Sequence, residues 1–385
     1  MYLDYFDKFR GMKPYFIIDE TEWKYIKETF NQEDVLESIG TVLMDYPLPY
    51  ADITIEDARS EFMKLKGIRW NELLVEGDWK ARHEYPFPFT WNGKSLYFSR
   101  NNVGNSASNF FQQKNRWEVD ATQSPGPARS WTLLRSMKSI AKAFYTLKYP
   151  MIDKSVVRGA MGLRKYICSQ FKPNVAKALY EMMGAKVILD FSAGWGDRLA
   201  GFYASNAKTY IGIDPRKENH PIYREQINFY DKNLGWFEEK KSVYLYESPA
   251  EDWDNSEWVN KVDLVFTSPP YFNTERYSYD ETQSWVRYKD INSWNENFLH
   301  KALDNVWGTL KSGGYMVVNI ADIYDRSKQS YVKICEPMVD YMKQKQDCIF
   351  EGAIGMELSV RPADPGIDEN DKSKFAEPCW IFKKK

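Results

Sequence analysis

Short apolar runs alternate with amphipathic segments along the second half of the chain. Helical periodicity is predicted between most of these runs, near residues 173–183, 197–204, 221–233, 294–310 and 330–345. Strands that alternate with helices usually pair as a parallel sheet covered on both faces. We therefore predict an α/β fold with a doubly wound, mostly parallel, seven-stranded sheet. The predicted strands are Val187–Phe191, Thr209–Ile213, Ser242–Tyr246, Leu264–Thr267, Tyr315–Ile320, Ile349–Met356 and Cys379–Phe382.

The first 150 residues lack this alternation. Helical segments near residues 20–30 and 54–66 are followed by short β-like pieces that prolines and glycines interrupt. Another helix is predicted after the turn at residues 124–127. We therefore predict an accessory N-terminal α+β domain over residues 1–150 and the α/β domain over residues 151–385.

Composition argues against several classes of protein. The formal net charge of −2 does not indicate nucleic-acid binding, although the local field of a cleft decides such binding. The four cysteines are far apart and the chain has only three histidines, so no metal site is predicted. No apolar run reaches 18 residues, so no membrane span is predicted. A reducing cytoplasm is the expected compartment.

A strand, a glycine-rich turn and a helix follow one another at residues 187–198. Gly194 and Gly196 permit positive φ and let a ligand approach the backbone closely. Asp190 ends the strand, where a carboxylate could meet a cationic amino group. Asp214 ends the next strand and suits the two hydroxyls of a ribose, with a helix cap as the alternative. This pattern predicts a nucleotide-type cofactor site.

The turn favours a nucleoside over a dinucleotide. The third glycine of a dinucleotide fingerprint is missing, because Arg198 and Leu199 occupy that stretch. The acidic pair Glu251-Asp252 follows the third strand and could read an adenine amino edge, with a solvated turn as the alternative. S-adenosylmethionine is a nucleoside without a pyrophosphate, and its sulfonium tolerates carbonyl oxygens and aromatic faces. We therefore predict it as the cofactor.

The segment Thr267-Ser268-Pro269-Pro270-Tyr271-Phe272 follows the fourth predicted strand. Its two prolines lack N–H groups, which leaves nearby carbonyls free to point into a site. The Ser268 hydroxyl and the Pro269 carbonyl could hold the hydrogens of an exocyclic base amine while its nitrogen attacks a methyl group. Tyr271 would stack on a base that is flipped out or single-stranded, and Phe272 would extend the apolar wall. A rigid loop that closes the strand is the alternative.

At these two motifs the chain resembles the amino-type DNA methyltransferases, which methylate cytosine N4 or adenine N6 with S-adenosylmethionine. Residues 190–196 resemble their cofactor motif, and residues 267–272 resemble their catalytic motif. The resemblance implies a Rossmann-like methyltransferase fold. It implies catalytic roles for Ser268, Pro269, Pro270 and Tyr271. It also implies cofactor contacts for Phe171, Asp190, Ser192, Ala193, Gly194, Gly196, Asp214 and Asp252.

The serine at the first position of the catalytic motif favours cytosine N4 as the methylated atom. The polar and aromatic stretch after it could close on the base, with Phe272, Arg276 and Arg287 as substrate-binding residues and the arginines meeting phosphates. An ordinary solvated loop is the alternative. No large insert separates the motifs, so either residues 1–150 recognise DNA or sequence specificity is low.

The sequence therefore predicts a DNA methyltransferase in the cytoplasm of a bacterium or a phage-infected host cell. Duplex or single-stranded DNA is the expected partner. Two alternatives stay open. One is a methyltransferase that acts on RNA or on a protein amide, and the other is an inactive nucleic-acid-binding module.

Overall fold

A computed structural model describes residues 1–236, 238–325, 327–358 and 374–385. The strands in these residues are β1 (Leu74–Glu76), β2 (Trp79–Lys80), β3 (Leu96–Phe98), β4 (Asp120–Ala121), β5 (Val187–Asp190), β6 (Thr209–Ile213), β7 (Ser242–Tyr246), β8 (Val262–Thr267), β9 (Glu275–Arg276), β10 (Leu310–Asn319), β11 (Ile323–Asp325), β12 (Ser330–Val332), β13 (Cys348–Glu357) and β14 (Lys374–Lys384). The α-helices are α1 (Glu20–Thr29), α2 (Gln32–Leu43), α3 (Ile55–Gly67), α4 (Trp70–Leu73), α5 (Asn105–Trp117), α6 (Pro127–Trp131), α7 (Leu134–Leu147), α8 (Lys154–Arg164), α9 (Pro173–Met182), α10 (Asp197–Ala204), α11 (Asn219–Lys232), α12 (Ser284–Arg287), α13 (Ile291–Trp294), α14 (Lys301–Trp307) and α15 (Cys335–Lys343). None of the helices described has the length and hydropathy to cross a bilayer.

The chain divides into two compact units. The first contains residues 1–53, 113–169 and 275–277, and the second contains residues 54–112, 170–274 and 278–385. This division differs from the boundary that we predicted near residue 150. The difference arises because β3 pairs with β13 and β2 pairs with β14, so this early segment belongs to the sheet. Strands of two or three residues are too short to show the periodicity that would have revealed these distant partners.

The main sheet of the second unit has the strand order β1-β3-β13-β14-β10-β8-β5-β6-β7, with β2 paired to β14. The strands from β10 to β7 are parallel, and β14 runs antiparallel between β10 and β13. All seven predicted strands are present, which confirms the α/β class and the mostly parallel sheet. Strands β1, β2 and β3 extend the sheet beyond seven strands.

The central strands are apolar on both faces. On β5, Leu189 packs into one core and its neighbour Ile188 packs into the other. On β8, Val265 and Leu264 divide in the same way, and all four side chains are fully buried. Burial of each such side chain stabilises the fold by about 1.5–3 kcal/mol. This two-sided burial explains why these strands appear in the sequence as continuous apolar runs.

The first unit is mainly helical. Helices α1, α2, α6, α7 and α8 surround one apolar core, to which Phe16, Trp23, Ile39 and Met137 contribute fully or almost fully buried side chains. The pairing of β4 with β9 joins Asp120–Ala121 to Glu275–Arg276 within this unit. The α+β character predicted for the N-terminal region came from β-like pieces near residues 79–98, which belong to the sheet of the second unit.

Two predicted helices have different boundaries in the structure. The segment predicted as a helix at residues 294–310 contains a π-helical turn, Asn295–His300, before α14, and strand β10 already begins at Leu310. The segment predicted at residues 330–345 begins with β12, and the helix starts at Cys335. In contrast, α3 begins as predicted, because Thr54 and Asp57 form a reciprocal capping box.

Candidate active site at two adjacent strand ends

The two sequence motifs lie at the carboxyl ends of neighbouring parallel strands. Leu189 of β5 is in register with Val265 of β8. At the ends of these strands, Thr267 Oγ1 donates a hydrogen bond of 2.9 Å to Asp190 Oδ1, and neither side chain has exposed surface. The chain turns from β5 toward β6 on one side and returns to β8 on the other. This reversal is where open α/β sheets bind their ligands.

Asp190 is the centre of a buried polar cluster. Its Oδ2 accepts hydrogen bonds from Arg198 Nε at 2.7 Å and from Tyr210 Oη at 2.7 Å. Its Oδ1 also accepts from the backbone N–H of Ser192 at 3.2 Å. Burial lowers the pKa of Arg198, but the charge of Asp190 outweighs it and the pKa is raised. Asp190 thus orders the turn that follows, and its contact with a ligand amino group stays a prediction.

The two glycines of the turn differ in packing: a Cβ at Gly194 would make ordinary van der Waals contacts, whereas one at Gly196 would clash. Gly194 has a φ of +60° and Gly196 a φ of +71°, the left-handed region that favours glycine. A Cβ on Gly196 would lie 2.4 Å from Gln226 Oε1. The carbonyl of Gly194 accepts hydrogen bonds from Tyr223 Oη at 2.5 Å and from Asn219 Nδ2 at 2.9 Å.

Helix α11 therefore holds the turn through three side chains that our sequence reasoning missed. Asn219, Tyr223 and Gln226 are spaced by four and three residues, and the structure places all three against the turn. That spacing is one face of a helix. A polar stripe on the helix that follows the second strand after a cofactor motif is the signal that could have identified them.

Asp214 lies at the end of β6, beside the glycine turn, as predicted. Its Oδ2 accepts the backbone N–H of Gly194 at 2.8 Å, and its Oδ1 accepts the backbone N–H of Arg216 at 2.9 Å. Burial raises the pKa of Asp214, and these two backbone donors oppose the increase. The carboxylate thus links the tips of β5 and β6.

Phe171 also lies beside this turn. Its ring packs edge-to-face on Phe266 with centroids 5.5 Å apart, and the Arg198 guanidinium lies 5.1 Å from its centroid. Next to it, Gln170 Nε2 donates to Ser108 Oγ at 2.9 Å and to Asp197 Oδ1 at 2.8 Å. The segment before α9 is therefore anchored to the first residue of α10. Two further predicted residues shape the turn through their backbone: Ser192 O accepts from Arg198, and Ala193 N donates to Ile213 O.

Glu251 and Asp252, which we predicted to read the adenine amino edge, form ion pairs with Arg287, which we predicted to contact a phosphate. Arg287 Nη1 lies 2.7 Å from Glu251 Oε1 and 2.7 Å from Asp252 Oδ2. Tyr288 Oη also donates to Glu251 Oε1 at 3.3 Å. Burial raises the pKa of Glu251, and the charge of Arg287 opposes this increase. In this structure the guanidinium of Arg287 is therefore engaged by carboxylates, whereas the sequence had suggested a phosphate.

We expect Arg287→Ala to lower the free energy of unfolding by about 1–2 kcal/mol at pH 7, since two partly screened charge-assisted contacts are lost. The loss should shrink as pH falls and Glu251, whose pKa burial raises, becomes neutral, because a neutral partner gains little from the guanidinium. Urea unfolding at pH 7 and pH 4 measures both effects. Equal losses at the two pH values would show that Arg287 acts through packing alone.

The catalytic motif forms a compact turn with its tyrosine hydroxyl directed into the protein. Tyr271 Oη donates to the carbonyl of Asn319 at 3.4 Å, and Ser268 and Glu377 lie close enough to act on the pKa of the Tyr271 hydroxyl. Burial and the charge of Glu377 raise the pKa of Tyr271 well above its usual value. Phe272 has a φ of +50°, a strained conformation for a residue with a side chain.

The remaining predicted substrate residues fall in different units. Phe272 belongs to the second unit, where its ring packs edge-to-face on Trp294 with centroids 6.0 Å apart. Arg276 belongs to the first unit, where β9 pairs it with Asp120. Within the second unit, the structure brings the catalytic motif, the glycine turn and Asp214 to one edge of the sheet. It also adds Asn319 and Glu377, which our sequence reasoning did not identify as site residues.

Comparison with protein families supports the resemblance inferred from the motifs. The N6/N4 methyltransferase model, described as DNA methylase, matches residues 262–373. This segment contains strand β8 and the Ser-Pro-Pro-Tyr motif, so the family resemblance is confirmed over it. Over this segment the chain is similar to a DNA methylase family, which supports a methyltransferase activity. No curated protein matches the sequence.

Several solved structures are similar to just over half of the chain. A 1,6-didemethyltoxoflavin-N1-methyltransferase from Burkholderia thailandensis, solved with S-adenosylhomocysteine, is 12% identical, with a TM-score of 0.34 over 55% of this chain and 77% of its own. A putative RNA methyltransferase from Pyrococcus horikoshii is 15% identical, with a TM-score of 0.30 over 55% and 81%. The tRNA m1G37 methyltransferase from M. jannaschii is 16% identical, with a TM-score of 0.31 over 55% and 46%. TM-scores this low support no inference about substrate.

Proposed function

We propose that this chain is a DNA methyltransferase that transfers the methyl group of S-adenosylmethionine to an exocyclic base amine, with cytosine N4 favoured over adenine N6. The observation that carries the proposal is the hydrogen bond between Thr267 and Asp190, because it holds the ends of the catalytic and cofactor motifs side by side. The match of residues 262–373 to a DNA methylase family supports DNA as the substrate.

The residues at the glycine turn fit this cofactor. Gly194 supplies backbone that a ligand can approach, since the nearest atoms to a Cβ built there lie at 3.5 Å or more. We assign Asp214 to the ribose hydroxyls and Asp252 to the adenine amino edge. Phe171, Ser192, Ala193 and Gly196 would complete the cradle. When bound, the cofactor supplies an electrophilic methyl group.

The catalytic motif positions the amine for direct attack. We assign the Ser268 hydroxyl and the Pro269 carbonyl as the acceptors of its two hydrogens, which would favour a pyramidal nitrogen with its lone pair free. The Tyr271 ring would stack on the base, and its hydroxyl donates to the carbonyl of Asn319. A ring anchored in this way presents a fixed face to the base. No covalent enzyme intermediate is needed.

Identification of the methylated nucleoside tests the proposal. DNA from cells that express the chain is digested and analysed by mass spectrometry, with cells that express Ser268→Ala as the control. N4-methylcytosine that depends on Ser268 is the expected result, and N6-methyladenine would keep the enzyme class but change the base. Transfer of tritium-labelled methyl groups to duplex DNA, single-stranded DNA, RNA and protein is measured in parallel. Transfer only to RNA or protein would overturn the DNA assignment.

A further inference from the structure

Residues 278–288, which lie in the stretch that the sequence assigned to the substrate base, contact the ends of β6 and β7. On the side of β6, Thr282 Oγ1 donates to the Pro215 carbonyl at 3.4 Å, and Lys217 Nζ lies 3.6 Å from Asp280 Oδ2. Pro215 and Lys217 directly follow the acid that we assign to the ribose. This part of the 278–288 segment therefore lies beside the proposed cofactor site.

On the side of β7, Arg287 joins the same segment to the acidic pair. Arg287 Nη1 contacts both carboxylates, but Glu251 has a side-chain exposure of 2% and Asp252 one of 54%. The buried Glu251 carboxylate can hold the guanidinium by itself, which leaves the exposed Asp252 for the adenine amino edge. The 278–288 segment thus contacts residues at or next to both acids that we assign to the adenosine part of the cofactor.

The middle of the segment is fixed in the core of the second unit. Ser284 Oγ accepts a hydrogen bond from Trp294 Nε1 at 3.2 Å, and both side chains are buried. The backbone N–H groups of Val286 and Arg287 each donate to the Gln283 carbonyl at 3.0 Å. The backbone at Gln283 is therefore held in place independently of the Gln283 side chain.

The side chain of Gln283 has a buried donor without an acceptor. Gln283 is only 4% exposed, and its Nε2 has no hydrogen-bond partner among the residues that the structure describes. A buried amide donor that makes no hydrogen bond lowers stability, and such groups are rare in folded proteins. An acceptor supplied by a ligand would remove this cost. The adenosine part of S-adenosylmethionine offers several acceptors, in its ribose hydroxyls and in the ring nitrogens of adenine.

Building on the cofactor site of the proposed function, we propose that Gln283 is a further cofactor-binding residue, whose side-chain amide donates a hydrogen bond to the adenosine part of S-adenosylmethionine. Arg287 holds the segment that carries this amide against the end of β7. Asp214 and Asp252 accept hydrogen bonds from the same ligand, so Gln283 adds the donor that two carboxylates lack.

Gln283→Met tests the contact because it keeps the length of the side chain and removes the donor. We expect the affinity for S-adenosylhomocysteine, measured by calorimetry, to fall about 10-fold, as for the loss of one hydrogen bond. The urea midpoint of the ligand-free protein should equal or exceed that of the wild type, because an unpaired donor leaves the interior. A purely structural role would instead lower this midpoint.

Gln344→Met is the control, since Gln344 is an exposed glutamine of the same unit and its variant should bind with wild-type affinity. Wild-type affinity in Gln283→Met would overturn the contact. A fall in affinity accompanied by a lower urea midpoint would also overturn it, because the side chain would then support the fold and not the ligand.

Arg287→Ala tests whether the segment covers the bound cofactor. We expect S-adenosylhomocysteine to dissociate about 10-fold faster in stopped-flow measurements, with a smaller change in association, because the segment opens more readily. Lys311→Ala removes an ion pair of 2.7 Å with Asp263, near the start of β8 and far from the strand ends, and should release the ligand at the wild-type rate. Unchanged release in Arg287→Ala would show that Arg287 does not hold the cover closed.

These outcomes can be distinguished from a failure of the proposed function. Methyl transfer to RNA or protein alone would change the proposed substrate and leave the Gln283 contact in place. A wild-type protein that binds no S-adenosylhomocysteine would overturn the proposed cofactor site and this inference together. Tight binding by the wild type with no effect of Gln283→Met would overturn this inference alone.

Discussion

Replacement of Asp190 by alanine is expected to lower the free energy of unfolding by about 3–5 kcal/mol at pH 7, because the guanidinium of Arg198 would stay buried without its counter-charge. The pair is almost inaccessible to solvent, with side-chain exposures of 0% and 5%. Tyr210 and Thr267 would also lose their acceptor. Urea unfolding in the absence of cofactor measures this loss directly, since ligand binding would otherwise add to stability.

A surface ion pair of the same unit provides the control. Arg69 and Glu72 lie 2.7 Å apart with side-chain exposures of 75% and 48%, so Glu72→Ala should cost much less stability than Asp190→Ala. If the two variants lost similar stability, the buried pair would not be a structural centre of the site. Arg198→Met combined with Asp190→Leu should recover much of the loss, because no unpaired charge would remain buried.

Ser268→Ala is expected to slow methyl transfer about 100- to 1,000-fold, because one of the two acceptors that orient the amine would be absent when the nitrogen attacks. The affinity for S-adenosylmethionine should be unchanged, since Ser268 follows β8 and the glycine turn follows β5. Single-turnover rates give the first quantity, and calorimetric titration with the cofactor gives the second.

Ser248→Ala is the matched control for this variant. Ser248 also precedes a proline shortly after a strand of the sheet, and its hydroxyl donates to the Pro249 carbonyl at 3.0 Å. It lies outside the catalytic motif, so methyl transfer should proceed at the wild-type rate. A wild-type rate in Ser268→Ala would remove Ser268 from the mechanism, whereas a parallel loss of cofactor affinity would indicate a rearranged site.

The sequence predicted the central sheet well because its strands are buried on both faces. Runs such as Val187–Asp190 and Val262–Thr267 are apolar nearly throughout, and no surface helix or loop has that pattern. The two motifs could also be placed correctly, because both directly follow such runs. Strands β2 and β3 could not be placed in the sheet, since strands of two or three residues show no periodicity and their partners β14 and β13 lie about 260–300 residues away.

The side chains around the motifs were harder to predict. Arg287 carries the charge expected of a phosphate contact, but the structure pairs it with Glu251 and Asp252. Asp190 has the chemistry of a ligand contact, yet burial assigns it to Arg198. Glu377 lies more than 100 residues from Ser268 and gave no local signal. In each case the partner is set by which strand ends become neighbours, and sequence spacing does not encode that information.

The position of β14 between β10 and β13 also affects how the protein can be made. Residues 374–384 are synthesised after every other strand of the sheet, yet they pair with two of them in its interior. Until this segment leaves the ribosome, β10 and β13 expose unpaired edges that are open to association with other chains. The sheet, and with it the Glu377 side of the catalytic edge, is therefore completed only after all of its other strands have been synthesised. Chaperones that shield strand edges should raise the yield of active protein more than those that act on the helical first unit.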